Sequence, residues 1–132
     1  MKQEIPRGSE TILVVEDDEA VRNLASQILK SLGYRVLEAS SGEEALGLYG
    51  VMKEPIHLIL TDVVMPRMSG RELADHFILL YPEMKILYMS GYTDDATVHH
   101  GVLEEGVNYI QKPFTMEGLA KKVRGVLDKE VS

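Results

Sequence analysis

The chain has 132 residues, a formal net charge of −7 at pH 7, 45% hydrophobic residues and no cysteine. That length bounds it to one ordinary domain with a single sizeable core, and its apolar content fits compact folding rather than general disorder. The acidic balance, with no dense Lys/Arg stripe, excludes direct DNA or RNA binding through the phosphate backbone, and the missing thiols exclude disulfides and thiolate metal sites. No apolar run approaches the roughly 20 residues that span a bilayer, so no direct membrane contact is expected. The first residues, Met1-Lys2-Gln3-Glu4, do not read as a secretory segment. A cytoplasmic location follows, although a soluble domain of a membrane protein would read the same way.

Residues 1–10 are polar, with Pro6, Gly8 and Ser9, and read as an N-terminal linker or tail. The domain proper runs over 11–129, with 130–132 as a C-terminal tail. Thr11-Ile12-Leu13-Val14-Val15 is a first buried strand that ends in Glu16-Asp17-Asp18-Glu19. Val21, Leu24, Ala25, Ile28 and Leu32 then recur at helical spacing, and Gly33 ends that helix. Tyr34–Ala39 is a short second strand, and Ser40 or Ser41 caps a helix through about Met52, with Glu43 and Glu44 in its first turn.

His57-Leu58-Ile59-Leu60-Thr61-Asp62 reads as a central strand buried on both faces, and Pro66 stops it. Ser69, with Glu72 at the capping-box position, starts a helix containing Leu73, Ala74, Phe77 and Leu80. Lys85–Met89 is the fourth strand, with Ser90-Gly91-Tyr92 as its exit. A fourth helix is expected from Thr93 or Asp94 to about Glu105, weakened by Gly101, which costs about 1 kcal/mol relative to Ala. Val107–Ile110 is the fifth strand. After Lys112-Pro113-Phe114, Thr115 caps a last helix in which Leu119, Val123 and Val126 face inward.

Five strands alternating with five helices predict an α/β, doubly wound (βα)5 three-layer sandwich. Right-handed crossovers and this length favour the flavodoxin-like parallel sheet order 2-1-3-4-5. That order sets strands one and three side by side, so Glu16, Asp17 and Asp62 meet at the carboxyl end of the sheet, beside Ser90 and Lys112. Three crowded carboxylates repel one another, and a hard divalent cation relieves that cost. Asp17 and Asp62 are the expected direct ligands, with Glu16 acting through a metal-bound water. Ser90 offers a hydroxyl donor and Lys112 a point positive charge. A carboxylate nucleophile, Mg2+ (or Mn2+ in its place), a hydroxyl and an ammonium together suit phosphoryl transfer onto Asp62.

Four segments, Ile12-Leu13-Val14-Val15-Glu16-Asp17, Thr61-Asp62-Val63-Val64-Met65-Pro66-Arg67-Met68-Ser69-Gly70, Ser90-Gly91 and Lys112-Pro113-Phe114, occur in order at strand ends. Together they resemble the receiver, or phosphoacceptor, domain of two-component signalling proteins over about residues 11–129. The resemblance implies transfer from the phosphohistidine of a sensor histidine kinase or a histidine phosphotransfer domain to Asp62, with Mg2+. It also implies that the Val64 backbone carbonyl is a third protein ligand, and that Pro113 follows a cis peptide that aims Lys112. Phosphorylation would draw Ser90 inward and change the rotamer of Tyr109, switching the surface of the fourth helix, fifth strand and fifth helix. Counting back from Arg22 places the family's acidic pair on Glu16 and Asp17, with Asp18 as a cap; a slipped register would change the metal ligands.

The wording of these segments is most similar to receivers of hybrid sensor histidine kinases, which implies covalently linked kinase domains. A monomer or weak homodimer is expected, promoting its own phosphorylation and dephosphorylation without a separate catalytic domain. The rival readings are a receiver-like interaction module without phosphotransfer, and an aspartyl-phosphate phosphatase. Against the phosphatase, Val64 stands where a second acid/base carboxylate is needed and no insertion could form a cap. A flavin-binding module shares the fold, but acids after strand one would repel the flavin phosphate. His99 and His100 are adjacent on a helix and point apart, which does not suit a metal pair.

Overall fold

The computed structural model describes residues 5–49, 55–91 and 108–129. Its elements are β1 (Thr11–Val15), α1 (Glu19–Ser31), β2 (Arg35–Ala39), α2 (Gly42–Tyr49), β3 (Leu58–Asp62), α3 (Gly70–Leu80), β4 (Lys85–Gly91), β5 (Tyr109–Lys112) and a C-terminal helix, α4 (Met116–Asp128). The strands form one five-stranded parallel sheet in the order β2-β1-β3-β4-β5. This is the flavodoxin-like arrangement expected from the alternation of strands and helices. The expected fourth helix, with Tyr92, His99, His100 and Gly101, and the expected end of the second helix at Met52 lie outside the described residues.

Strand alternation divides the core into two layers, because successive side chains leave opposite faces of a sheet. Ile12, Val14, Leu58 and Leu60 pack with Leu29 of α1 and with Leu119 and Val123 of α4. Leu13, Val15 and Ile59 pack on the other face with Ala45 of α2 and with Leu73 and Phe77 of α3. β1 and β3 are therefore buried on both sides, as their unbroken aliphatic runs require.

The helix starts are set by local chemistry. Asp18 caps α1 by accepting from the Ala20 and Val21 amides, Ser69 and Glu72 form a reciprocal capping box on α3, and Thr115 caps α4. Ser41, rather than Ser40, accepts from the Glu44 amide at the start of α2.

Two expectations are corrected. Leu24 is 48% exposed and Leu29 is buried in its place. The inward stripe of α1 is Ala25, Ile28, Leu29, Leu32, and Leu24 lies on its flank. α3 contains Leu73, Ala74, Phe77 and Leu80 as expected; Leu80 is 52% exposed, since the buried stripe is Gly70, Leu73, Ala74, Phe77. The fifth strand runs over Tyr109–Lys112, later than Val107–Ile110, because β4 continues through Ser90 and Gly91 and keeps pairing with it.

Residues 5–10, within the segment read as a linker, make defined contacts. Ile5 packs against the α1/α4 layer, and the Gly8 amide donates to the Leu32 carbonyl at 3.1 Å. Gly33 turns the chain there with φ 103°, in the left-handed region that glycine tolerates. Arg124 on α4 donates to both oxygens of Glu10, at 3.1 and 2.6 Å, and also to Asp128 and the Arg7 carbonyl. The hydrogen bonds from Arg124 hold the Glu10 carboxyl down from 4.5 to about 2.

A depressed folded-state value stabilises the fold above the unfolded value, and that stability is lost as pH falls towards 2. The pair is partly solvated, so the expected advantage over Glu10→Gln is about 1–2 kcal/mol at neutral pH. Urea unfolding of both proteins across a pH series is expected to show that difference shrinking between about pH 5 and pH 2. A difference independent of pH would contradict the ion pair.

Candidate functional site

β1 delivers Glu16 directly to the carboxyl end of the sheet, where its amide donates to the Ala39 carbonyl of β2 at 3.1 Å. The Glu16 side chain is fully buried. Its Oε1 accepts from Lys112 Nζ at 2.9 Å and its Oε2 from the Asp18 amide at 3.2 Å. Asp17, next along the chain, is exposed. β3 is hydrogen-bonded to β1 and brings Asp62, 7% exposed, to the same end. One carboxylate oxygen from each of Glu16, Asp17 and Asp62 lies within 4.8 Å of the others. The acidic run is thereby divided: Glu16 and Asp17 lie with Asp62, and Asp18 is spent on the helix cap.

β5 supplies the counter-charge. Lys112, at its last position, contacts Asp62 Oδ2 at 3.3 Å as well as Glu16, and its peptide bond to Pro113 is cis. Ser90 is 3% exposed at the end of β4, one residue beyond Met89, which is in register with Asp62. Tyr109 is 37% exposed at the start of β5. Val64 is 49% exposed in the turn that follows β3.

That turn is tightly folded. The Gly70 amide donates back to the Val63 carbonyl at 2.9 Å, the Met68 amide to the Pro66 carbonyl at 2.8 Å, and Arg67 adopts φ 69°. Gly70 allows the first turn of α3 to press against the backbone of Asp62. A methyl group added at position 70 would fall inside the contact distance of the Asp62 carbonyl oxygen.

The charges share a limited supply of protons. Burial by itself pushes Glu16 up, but the hydrogen bonds from Lys112, Asp62 and the Asp18 amide outweigh it and hold Glu16 below its ordinary value. Asp62 moves the other way: burial, and then the charge of Glu16, raise it to about 7. Burial and Glu16 also raise Asp17. Burial opposes the charge on Lys112, yet its bonds to Glu16 and the charge of Asp62 dominate and raise it. The ammonium thus favours the ionised Glu16 and leaves Asp62 holding a proton more readily than a free carboxyl would.

The donor set fits a hard divalent cation. All the donors are oxygens, and one ammonium does not balance three acids. Oxygens sharing one Mg2+ lie about 4 Å apart at most, so the cluster needs only a small contraction to enclose it. A cation of that charge would displace the proton from Asp62 and keep its carboxylate ionised. Among the described residues this is the one group of three such side chains that could hold a metal.

The chain matches the response regulator receiver domain family over residues 12–124. It belongs to that family.

This receiver is 37% identical over 123 residues to the sensor kinase CckA of Brucella abortus, an alignment covering 93% of this chain and 13% of that protein. It is 31% identical over 116 residues to the response regulator receiver protein CpdR of the same organism, covering 88% and 95%. Among solved structures it is similar to the receiver domain of the hybrid histidine kinase CckA, with 35% identity, a TM-score of 0.74 and coverage of 89% and 99%. The chemotaxis response regulator CheY4 of Vibrio cholerae gives 28% identity, a TM-score of 0.76 and coverage of 90% and 99%. The chain spans 13%, 32% and 47% of three curated relatives: the sensor kinase, a cyclic di-GMP phosphodiesterase of Thermotoga maritima and the transcriptional regulatory protein YrkP of Bacillus subtilis.

Two features of the receiver site escaped the sequence reading. The shorter contact of Lys112 is with Glu16 rather than Asp62, and Gly70 sits against the Asp62 carbonyl. The glycine was visible as a motif member, but its steric role needed the packed turn. Gly70→Ala is expected to destabilise the receiver by at least about 2 kcal/mol in urea unfolding, because backbone must move to admit the methyl group. An unchanged urea midpoint would contradict the close approach.

Proposed function

We propose that this receiver takes a phosphoryl group from a phosphohistidine onto Asp62, and that the single observation carrying this reading is the convergence of Glu16, Asp17 and Asp62, with Lys112 paired to Glu16 and Asp62. An Asp62 oxygen attacks phosphorus in line, the phosphorus–nitrogen bond breaks, and the imidazole departs with the electron pair and is protonated from solvent. The product is an acyl phosphate on Asp62.

Asp17, Asp62 and the Val64 backbone carbonyl would hold Mg2+, with Glu16 reaching it through water. When bound, the cation supplies charge neutralisation at the phosphoryl oxygens. Lys112 then exchanges its contact with Asp62 for one with the phosphoryl group, and Ser90 donates its hydroxyl to another oxygen. Pro113 fixes the turn that aims Lys112. The apolar side chain of Val64 offers no hydrogen bond to an attacking water, which favours a long-lived acyl phosphate.

The Ser90 movement is relayed to Tyr109 and changes the face formed by the expected fourth helix, β5 and α4. The donor is a sensor histidine kinase or a histidine phosphotransfer domain, and similarity to a hybrid-kinase receiver favours kinase domains on the same polypeptide. The domain acts in the cytoplasm as a monomer or weak homodimer.

Beryllofluoride, a phosphoryl analogue, is expected to bind only with Mg2+ and not to Asp62→Asn, as measured by calorimetry. Acetyl phosphate with Mg2+, followed by borohydride trapping and mass spectrometry, should place the modification on Asp62. Lys112→Ala is expected to weaken the analogue-induced change more than Mg2+ binding. Equal analogue binding by Asp62→Asn would favour an interaction module without phosphotransfer.

A further inference from the structure

Arg22 belongs to neither the acidic cluster nor its counter-charge, yet it reaches the cluster's backbone. Its Nη1 donates to the Glu16 main-chain oxygen at 2.7 Å. Its Nε lies 3.8 Å from Oε1 of Glu38 on β2, and the Arg22 side chain is only 17% exposed. The Glu16 carbonyl belongs to the peptide unit that leads into Asp17. Turning that unit would swing the Asp17 carboxylate, the one exposed member of the cluster.

The other restraints act elsewhere. The Ala39 carbonyl holds the Glu16 amide, Lys112 and the Asp18 amide hold the Glu16 carboxylate, and Asp18 is committed to the α1 cap. Among the described residues, the hydrogen bond from Arg22 is the side-chain restraint on the Glu16 carbonyl. Glu38 faces the guanidinium from β2, which balances its charge close to a cluster suited to a cation.

We infer that Arg22 is a positioning residue for the cation site: it fixes the Glu16–Asp17 peptide from α1, and through it the direction of the Asp17 carboxylate. This rests on the Mg2+ site proposed above. Its consequence has a sign opposite to that of plain electrostatics. Removing a positive charge near a cation site should tighten cation binding. Removing a positioning residue should weaken it, and partners outside the direct ligand shell typically contribute about 10–100-fold in metal affinity.

The test is calorimetric titration of the full chain with Mg2+ alone, for wild type, Arg22→Met, Arg22→Lys and Asp17→Asn. Urea midpoints and the 15N shift of the Asp17 amide are read in the metal-free proteins. Arg22→Met keeps most of the packed stem and is expected to bind Mg2+ about tenfold more weakly or worse, with a displaced Asp17 amide. Arg22→Lys, which keeps the charge and a donor group but not the planar fork, is expected to fall between it and wild type. Unchanged or tighter Mg2+ binding by a folded Arg22→Met overturns the inference. Should Arg22→Met fail to fold, Arg22→Lys decides: weaker binding with a displaced amide supports the role, and unchanged binding overturns it. Wild-type Mg2+ binding that survives in Asp17→Asn overturns the site reading and this inference together. Loss in Asp17→Asn with no effect at Arg22 overturns this inference alone.

Discussion

The ammonium of Lys112, shared between Glu16 at 2.9 Å and Asp62 at 3.3 Å, is the interaction on which the carboxyl end of the sheet depends. Two buried carboxylates side by side are costly unless paired, and removing one partner of a buried ion pair typically costs about 3–5 kcal/mol. One cation for three acids leaves the site short of positive charge. In the proposed function, that shortage is what a divalent cation relieves and what leaves Asp62 able to react. The fold therefore carries a local cost at the place where chemistry is proposed, and recovers it in a sheet whose two central strands are covered on both faces.

The topology explains why this charge crowding exists at all. Pairing β1 with β3 in parallel brings Glu16-Asp17 and Asp62 together although they are far apart in sequence. β5 sits beyond β4, so the stem of Lys112 must reach across to both carboxylates. The turn after β3 completes the arrangement from below. Gly70 brings the capped start of α3 against the Asp62 backbone, and the Val63 carbonyl accepts the Gly70 amide. The proposed acceptor, Asp62, is thus held by a strand on one side and a helix terminus on the other, which is how a site side chain keeps a defined direction.

Much of this was legible in the residues because it is local. The Ser69/Glu72 capping box, the Asp18 and Thr115 caps, the aliphatic runs of β1 and β3 and the stop at Pro66 each involve a few neighbouring positions. The strand order then put Asp17, Asp62 and Lys112 at one end without any detailed coordinates. What could not be read depends on angles and distances between remote segments. Leu24 and Leu29 both fit a helical spacing, and only the orientation of α1 on the sheet separates them. The preference of Lys112 for Glu16 and the bond from Arg22 to a main-chain oxygen leave no signature in residue type, because any lysine or arginine of that length could have pointed to solvent. β5 was displaced along the chain because its limits are set by the ladder with β4 rather than by its own composition.

In the proposed function, charge crowding among Glu16, Asp17 and Asp62 is relieved by a divalent cation, freeing Asp62 to react. Carboxyl 13C NMR titration of the protein, with and without saturating Mg2+, tests it most directly. Asp62 is expected to titrate near 7 in the metal-free protein, because it is buried beside Glu16, and to stay ionised to well below that pH once Mg2+ is added. An Asp62 that titrates in the ordinary carboxylate range and is indifferent to Mg2+ would contradict it.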